Sequence, residues 1–299
     1  MLCSPPSGAA RWRCTALAAL SGDEQRVIFV QLCNVVDPGV AVAFGSASSE
    51  LWELTQAPRQ QLQADHEAAA ALGRKAGKRS CKELREAKEV QWSCKGLSSD
   101  DLALLGTLGS VLPALEVLHL SERAAGPEGV PRLAEKLGAG ALPAVTWLDL
   151  NGTPVGDAGA SALAAALDRG ALPRLEHLRL SNAAIGDAGM VALAPALRRL
   201  PALRTLLLKG NLFGDEGAAA LVAPPPPPAG APPPPTGGLA KLKLLIPSFT
   251  QIADAGCGTL AAALDGGALP ALEGLYLSGT PASAAAKAAV YAARANLLS

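Results

Sequence analysis

Residues 141–170 read ALPAVTWLDLNGTPVGDAGASALAAALDRG, and residues 171–200 read ALPRLEHLRLSNAAIGDAGMVALAPALRRL. Val145, Leu148 and Leu150 of the first stretch return thirty residues later as Leu175, Leu178 and Leu180. The Gly-Asp-Ala-Gly of 156–159 returns as 186–189. A unit that recurs at this period buries its apolar face only against its neighbours, so the chain is organised as a repeated surface. Binding or scaffolding is the class of function such a surface serves; what is bound is not written in the period.

Working outward, the Leu-x-x-Leu-x-Leu frame recurs at Leu115/Leu118/Leu120, Leu203/Leu206/Leu208 and Leu272/Leu275/Leu277. A degraded copy stands at Leu242/Leu245/Pro247 and a weaker one at Ala87/Val90/Trp92. Over so short a strand, period-two alternation turns these residues inward and their neighbours outward. Each strand leads into a loop and a helix. Asp157, Asp187, Asp215 and Asp254 share one position just before an apolar helical run, where each is expected to cap the first turn of its own helix. The Gly two residues on (Gly159, Gly189, Gly217, Gly256) is expected to leave room for close helix–strand approach. Gly-Ala-Leu-Pro at 140–143, 170–173 and 267–270 then stops the helix and sets an extended path to the next strand. A phosphate site in the Gly-Asp loops is excluded, because the repeated Asp would repel an anion and no Lys follows.

At 28–30 residues per unit, with a full helix in each, residues 87–299 resemble the ribonuclease-inhibitor class of leucine-rich repeat. The resemblance implies an α/β, right-handed solenoid of about seven repeats, with a parallel concave sheet and convex helices. Asn211 alone holds the asparagine that family places three residues after the strand; Arg123, Thr153, Ala183, Thr250 and Thr280 stand there in other copies.

Strands stacked in register put outward residues in rows about 5 Å apart. One row reads Val117, Trp147, His177, Thr205, Leu244, Gly274, and the next His119, Asp149, Arg179, Leu207, Ile246, Tyr276. Asp149 should lie between His119 and Arg179 in an exposed contact worth well under about 1 kcal/mol. Trp147 should stand beside His177. His119, Trp147, Asp149, His177, Arg179, Leu207 and Tyr276 are therefore the candidate partner-binding residues. His119 with Asp149 and Ser121 has the composition of a catalytic triad, but on an open sheet face without a pocket or oxyanion donors. No catalytic residue, metal site or cofactor is assigned.

Three further regions flank this frame. Residues 1–22 read as a disordered or targeting segment. Residues 23–78 form a helical segment preceding the repeat domain at 79–299. Within it, Glu24-Gln25-Arg26-Val27-Ile28-Phe29, Leu32, Asp37-Pro38, Ala47-Ser48-Ser49 and Leu54 resemble an F-box, although Ser21-Gly22 stands where that family opens with Leu-Pro. The resemblance implies a hook, over residues 23–56, for the adaptor of a cullin-type ubiquitin ligase. Pro58 should kink or restart the helix around it, and His66, between Asp65 and Glu67, should be a solvated surface side chain. Residues 224–238, PPPPPAGAPPPPTGG, interrupt the repeat and favour polyproline II; the expected reading is a tolerated low-complexity insertion, and a docking site for a proline-reading domain is the alternative. The Ala-rich stretch 281–298 should end the solenoid as a capping helix with Lys287 and Arg294 exposed and no strand after it.

Composition agrees. Net charge is zero and aromatics are 3%, which disfavours a polybasic nucleic-acid binder and requires a core of small aliphatic contacts. No apolar run nears the roughly 20 residues of a membrane span. The six Cys show no paired spacing, so free thiols and a cytoplasmic location are expected, a nuclear one being compatible and organellar targeting by residues 1–22 not expected. The sequence thus supports a non-catalytic scaffold that binds a protein partner on the concave face. The alternatives are an F-box-like substrate receptor of a cullin-type ubiquitin ligase, or a regulator such as a ribonuclease inhibitor or GTPase-activating protein.

Overall fold

The computed structural model describes residues 21–47, 49–222, 239–294 and 297–298. The expectations for residues 1–20 and for the Pro-rich insertion at 224–238 lie outside the described residues. The chain divides into two compact units, Met1–Leu84 and Arg85–Ser299.

The first unit is helical, with α1 (Gly22–Leu32), α2 (Gly39–Gly45), α3 (Ser49–Leu54) and α4 (Gln56–Lys75); α5 (Cys81–Glu86) spans the division. Ser21 opens α1 with a capping box: its hydroxyl accepts the Glu24 N–H, and the Glu24 carboxylate accepts the Ser21 N–H at 2.8 Å. Phe29, Ala41 and Leu62 form the core, with Leu32, Val35 and Phe44 packed on it. Pro58 falls in the first turn of α4, where its missing N–H has no partner to lose, so the helix restarts at Gln56. His66 departs from expectation. It shares the inward face of α4 with Leu62 and Ala69, is half-buried, and sets Nδ1 2.6 Å from the Val35 carbonyl oxygen.

The second unit is one parallel sheet in sequential order β1–β7: Glu89–Gln91, Val117–His119, Trp147–Asp149, His177–Arg179, Thr205–Leu207, Leu244–Ile246 and Gly274–Leu275. Helices α6 (Ser99–Leu108), α7 (Gly129–Lys136), α8 (Gly156–Asp168), α9 (Asp187–Arg199), α10 (Asp215–Val222) and α11 (Asp254–Asp265) alternate with the strands, and α12 (Ala284–Ala292) follows β7. The middle Leu of each strand from β2 to β7 (Leu118, Leu148, Leu178, Leu206, Leu245, Leu275) is 3% exposed or less. This is the α/β solenoid that the repeat pattern implies.

The repeated Asp residues do not cap their own helices. The Asp157 carboxylate accepts the N–H groups of Gly186 (2.7 Å) and Gly189 (3.0 Å), at the start of the next helix. Asp187 does the same to Gly214 (2.8 Å) and Gly217 (2.7 Å), Asp215 to Ala253 (2.7 Å) and Asp254 to Ser283 (2.6 Å). Each Asp already sits inside the first turn of its own helix, so its side chain reaches forward to the neighbour's orphan donors. The accompanying glycine makes room for that carboxylate: a Cβ on Gly189 would come 2.5 Å from Asp157 Oδ1, and one on Gly256 2.3 Å from Asp215 Oδ1. Where Pro127 replaces the Asp, the following Gly159 faces Pro131 and Val130 instead. Neighbouring repeats are thus stapled at the helix N-termini. At the other end Arg169 donates to the Ala134 and Leu137 carbonyls of the preceding helix.

Asn211, 1% exposed, bridges two repeats with all of its amide: Oδ1 accepts from Ala183 and Ile185 N–H, and Nδ2 donates to Leu180 and Leu208 carbonyls. Thr153, Thr250 and Thr280 are buried and each donates to a single strand-end carbonyl. The C-terminal end departs from expectation in two ways. Leu298 returns to the sheet in a parallel bridge with Gly274, its N–H donating to the Glu273 carbonyl at 2.9 Å. Lys287 and Arg294 are half-buried, donating to the Thr280 carbonyl and to the Ala268 and Leu269 carbonyls respectively. The last helix end and the last strand edge thereby gain polar partners.

Candidate functional site

The register aligns Glu89, Val117, Trp147, His177, Thr205, Leu244 and Gly274 in one row of outward residues, and Gln91, His119, Asp149, Arg179, Leu207 and Ile246 in the next. Tyr276, two residues past Gly274, continues the second row. The candidate residues therefore share one sheet face, but divide into a charged half on β2–β4 and an apolar half on β5–β7.

At the centre of the charged half, Asp149 Oδ2 lies 3.5 Å from His119 Nδ1 and 3.4 Å from Arg179 Nη1. Its Oδ1 accepts the Asn151 N–H at 3.0 Å and the Ser121 hydroxyl at 3.4 Å. This contact is not the exposed one expected: Asp149 is 7% exposed, flanked by the His119 imidazole, the Arg179 guanidinium and the Asn151 turn. A carboxylate so enclosed is screened less by solvent in its contact with the Arg179 guanidinium than a surface one. Glu89 extends the array, 3.6 Å from His119 Nε2. The triad composition has no triad geometry, since the Ser121 hydroxyl bonds the carboxylate and no imidazole is placed to activate it.

Trp147 stands in the other row against His177, ring centroids 4.7 Å apart, with the Arg179 guanidinium 5.7 Å from the indole. Trp147 is half-buried rather than fully exposed. Its Nε1 and the Arg179 Nε are shielded and have no hydrogen-bond partner among the described residues. Burial lowers the His177 imidazole below its usual range, with Glu176 opposing and Arg204 adding to the shift, so the ring presents a neutral face to Trp147 at neutral pH. In the apolar half Leu207, Leu244, Ile246 and Tyr276 are half-buried, and Gly274 is covered by Leu244, whose Cδ1 would lie 2.9 Å from a Cβ there.

Three residues of this region escaped the sequence reading. Glu89 lies on the weakest repeat copy. Glu122, not Arg123, is the buried polar group of its loop: 4% exposed, it accepts N–H groups from Gly96, Leu97 and Ala124. Burial raises its pKa, but the backbone donors of Ala124, Leu97, Gly96 and Lys95 together outweigh that and hold the carboxyl below its ordinary range. Phe249, 54% exposed, occupies a loop position held by Gly152, Gly210 and Gly279 in other repeats. A bulky residue at a glycine position of the repeat was a visible signal.

Residues 145–164 and 172–194 match the model of the Leucine Rich repeat family; these spans are the strand–helix units of β3–α8 and β4–α9. No curated protein is significantly similar to the chain. Among solved structures, an internalin from Listeria monocytogenes str. 4b F2365 is similar over 78% of this chain and 86% of that one, at 13% identity and a TM-score of 0.28. That likeness is too distant to support a structural conclusion. The chain contains leucine-rich repeats built into an α/β solenoid. Among the described residues, no helix is long and apolar enough to cross a membrane, and no cluster of His, Cys, Asp and Glu is placed to hold a metal ion.

Proposed function

We propose that the chain is a non-catalytic interaction module that grips a protein partner on the outward, helix-free face of its sheet. Residues 79–299 form the gripping domain, and residues 23–78 are a separate helical module. The observation that carries this reading is the Trp147 cluster. A half-buried indole packs, tilted by 39°, against His177 and is braced by Arg179, which is itself held by the enclosed Asp149. An aromatic and an arginine already fixed in place lose little freedom on binding, which is the composition and preorganisation of an interface hot spot. Affinity purification with quantitative mass spectrometry tests it, comparing the wild type with Trp147→Ala/Arg179→Glu. The double variant, folded by circular dichroism, should lose the specific partner; full recovery of that partner would reject the reading. Free Cys33, Cys81, Cys94 and Cys257 fit a reducing compartment, and we place the chain in the cytoplasm.

A second reading rests on the helical unit. Val27, Val30 and Val40 are each more than half exposed, and Val42 and Trp52 nearly so, on a small bundle whose own core is Phe29, Ala41 and Leu62. So much exposed apolar surface suits a docking module, and with the F-box resemblance the partner would be a cullin adaptor. Co-purification of such an adaptor should survive deletion of the repeats and fail on deletion of residues 23–56. Absence of the adaptor from the full-length purification would remove this reading.

A further inference from the structure

Beyond β6 a bulky aromatic takes a backbone conformation that four of its sister repeats give to Gly or Asn. The residue two past the strand's last inward position is Cys94 (φ 55°) after β1 and Glu122, which is not left-handed, after β2; after β3, β4, β5 and β7 it is left-handed Gly152 (φ 69°), Asn182 (φ 53°), Gly210 (φ 71°) and Gly279 (φ 69°). Gly and Asn are residue types that accept φ > 0. Phe249 takes the same conformation (φ 57°), its N–H donating to the Ser278 carbonyl just as Gly210 donates to Ser248. Other bulky residues in that region, Leu142, Leu172, Leu239 and Leu269, are 2% exposed or less, so burial offsets their strain. Phe249 is 54% exposed and has no such offset, a situation shared at the equivalent position by the smaller, exposed Cys94. Strain held by an exposed aromatic points to use rather than to packing.

The surroundings fix that ring. It lies directly over Gly279, where an added Cβ would fall 2.4 Å from Phe249 Cδ1, and the Lys209 ammonium stands 5.1 Å from its centroid. Together with Ile246, Ser248, Tyr276 and Ser278 these two side chains line a depression of about 340 Å³. The charge of this depression is one-sided. Arg179, Arg204 and Lys243 nearby are each paired, with Asp149, Glu176 and Glu273, whereas Lys209 makes no ion pair among the described residues. It is also the only charged outward side chain of β5–β7 and their loops' first residues. The Ser248 hydroxyl is engaged by the Tyr276 carbonyl, leaving the exposed Ser278 as a free polar edge.

We propose that this depression is a docking pocket for an extended partner segment that carries an aliphatic or aromatic side chain next to an Asp or Glu. The apolar side chain fills the Phe249–Ile246–Tyr276 floor, and the carboxylate neutralises Lys209. The inference deepens the proposed function and rests on the sheet face being the binding face.

Selection from a random dodecapeptide display library on the full-length chain tests it, followed by fluorescence anisotropy with the most enriched peptide. The wild type should enrich an apolar residue beside Asp or Glu. Lys209→Glu should turn the enrichment towards Lys and Arg. Phe249→Gly installs the residue that sister repeats hold, so the fold persists, and it should weaken the peptide at least tenfold. Failure of the wild type to enrich that pattern, or undiminished binding to both pocket variants, overturns the pocket. Trp147→Ala/Arg179→Glu separates the two proposals: a peptide lost in that variant but kept in both pocket variants leaves the binding face standing and removes the pocket. A peptide lost in the pocket variants and kept in that one supports the pocket and counts against the Trp147 cluster.

Discussion

Replacing Asn211 by Ala should be the most damaging single polar change in the repeat domain. The Asn211 amide makes four backbone bonds: from Ala183 N–H at 3.2 Å and Ile185 N–H at 3.1 Å, and to the Leu180 and Leu208 carbonyls at 2.8 Å each. At 1% exposure no solvent reaches the site to replace them. Each buried backbone group left without a partner costs about 1 kcal/mol or more, so the sum is about 3–5 kcal/mol. That is a large share of a domain stability of about 5–15 kcal/mol. Asn211→Thr should be milder. Thr280 and Thr250 show that a hydroxyl here reaches its own strand-end carbonyl, at 2.8 Å to Leu277 and 2.7 Å to Pro247. Thr then restores one bond of four, about 1 kcal/mol. Urea unfolding followed by far-ultraviolet circular dichroism reads the difference. With a slope of about 2–3 kcal/mol/M the Ala variant's midpoint should fall by about 1–2.5 M. A loss under about 1 kcal/mol, or a Thr variant no better than Ala, would refute the claim that this side chain joins the two repeats.

Two further outcomes follow from the joints between repeats. Gly189→Ala should cost about 1–3 kcal/mol, because its methyl would meet Asp157 Oδ1 at 2.5 Å and the Asp157 backbone at 3.0 Å, with little room to relax. Gly159→Ala, which meets no carboxylate, should lower the melting temperature less. Glu122 carries a pH signature. Its folded pKa is depressed below the free carboxyl's 4.5, so its stabilisation is present above that value and lost as the pH falls through the lower folded one. Denaturant midpoints measured across pH should show Glu122→Gln less stable than the wild type at pH 7, with the gap closing in acid; a gap independent of pH would contradict the assignment.

What repeats in this sequence was legible, and what breaks the repeat was less so. The Leu positions declare themselves because each unit buries the same atoms, and a fixed period in a parallel sheet dictates which outward residues share a row. The partners of Asp157, Asp187, Asp215 and Asp254 were not legible. Local capping rules point to the nearest helix start, one or two residues away, while the carboxylate reaches donors about one repeat later in the chain. The enclosure of Asp149 depends on neighbours from three strands and their loops, so composition alone made it look exposed. His66 and Leu298 were misjudged for a related reason. His66 is flanked in sequence by acids but faces inward with Leu62, and Leu298 finds the sheet edge only after the last helix has turned the chain back. Phe249 was visible all along as a departure from glycine, but its meaning needed the backbone angle and the Lys209 neighbour.

Site-specific photo-crosslinking tests the central claim most directly. A benzophenone amino acid placed singly at Val117, Thr205 or Leu244 lies on the outward sheet face, and one at Ser161, Val191 or Thr259 lies on the exposed helices. Irradiation in cells followed by mass spectrometry should join one and the same partner to the sheet-face positions and leave the helix positions empty. A partner joined through the helices and absent from the sheet face would contradict the account.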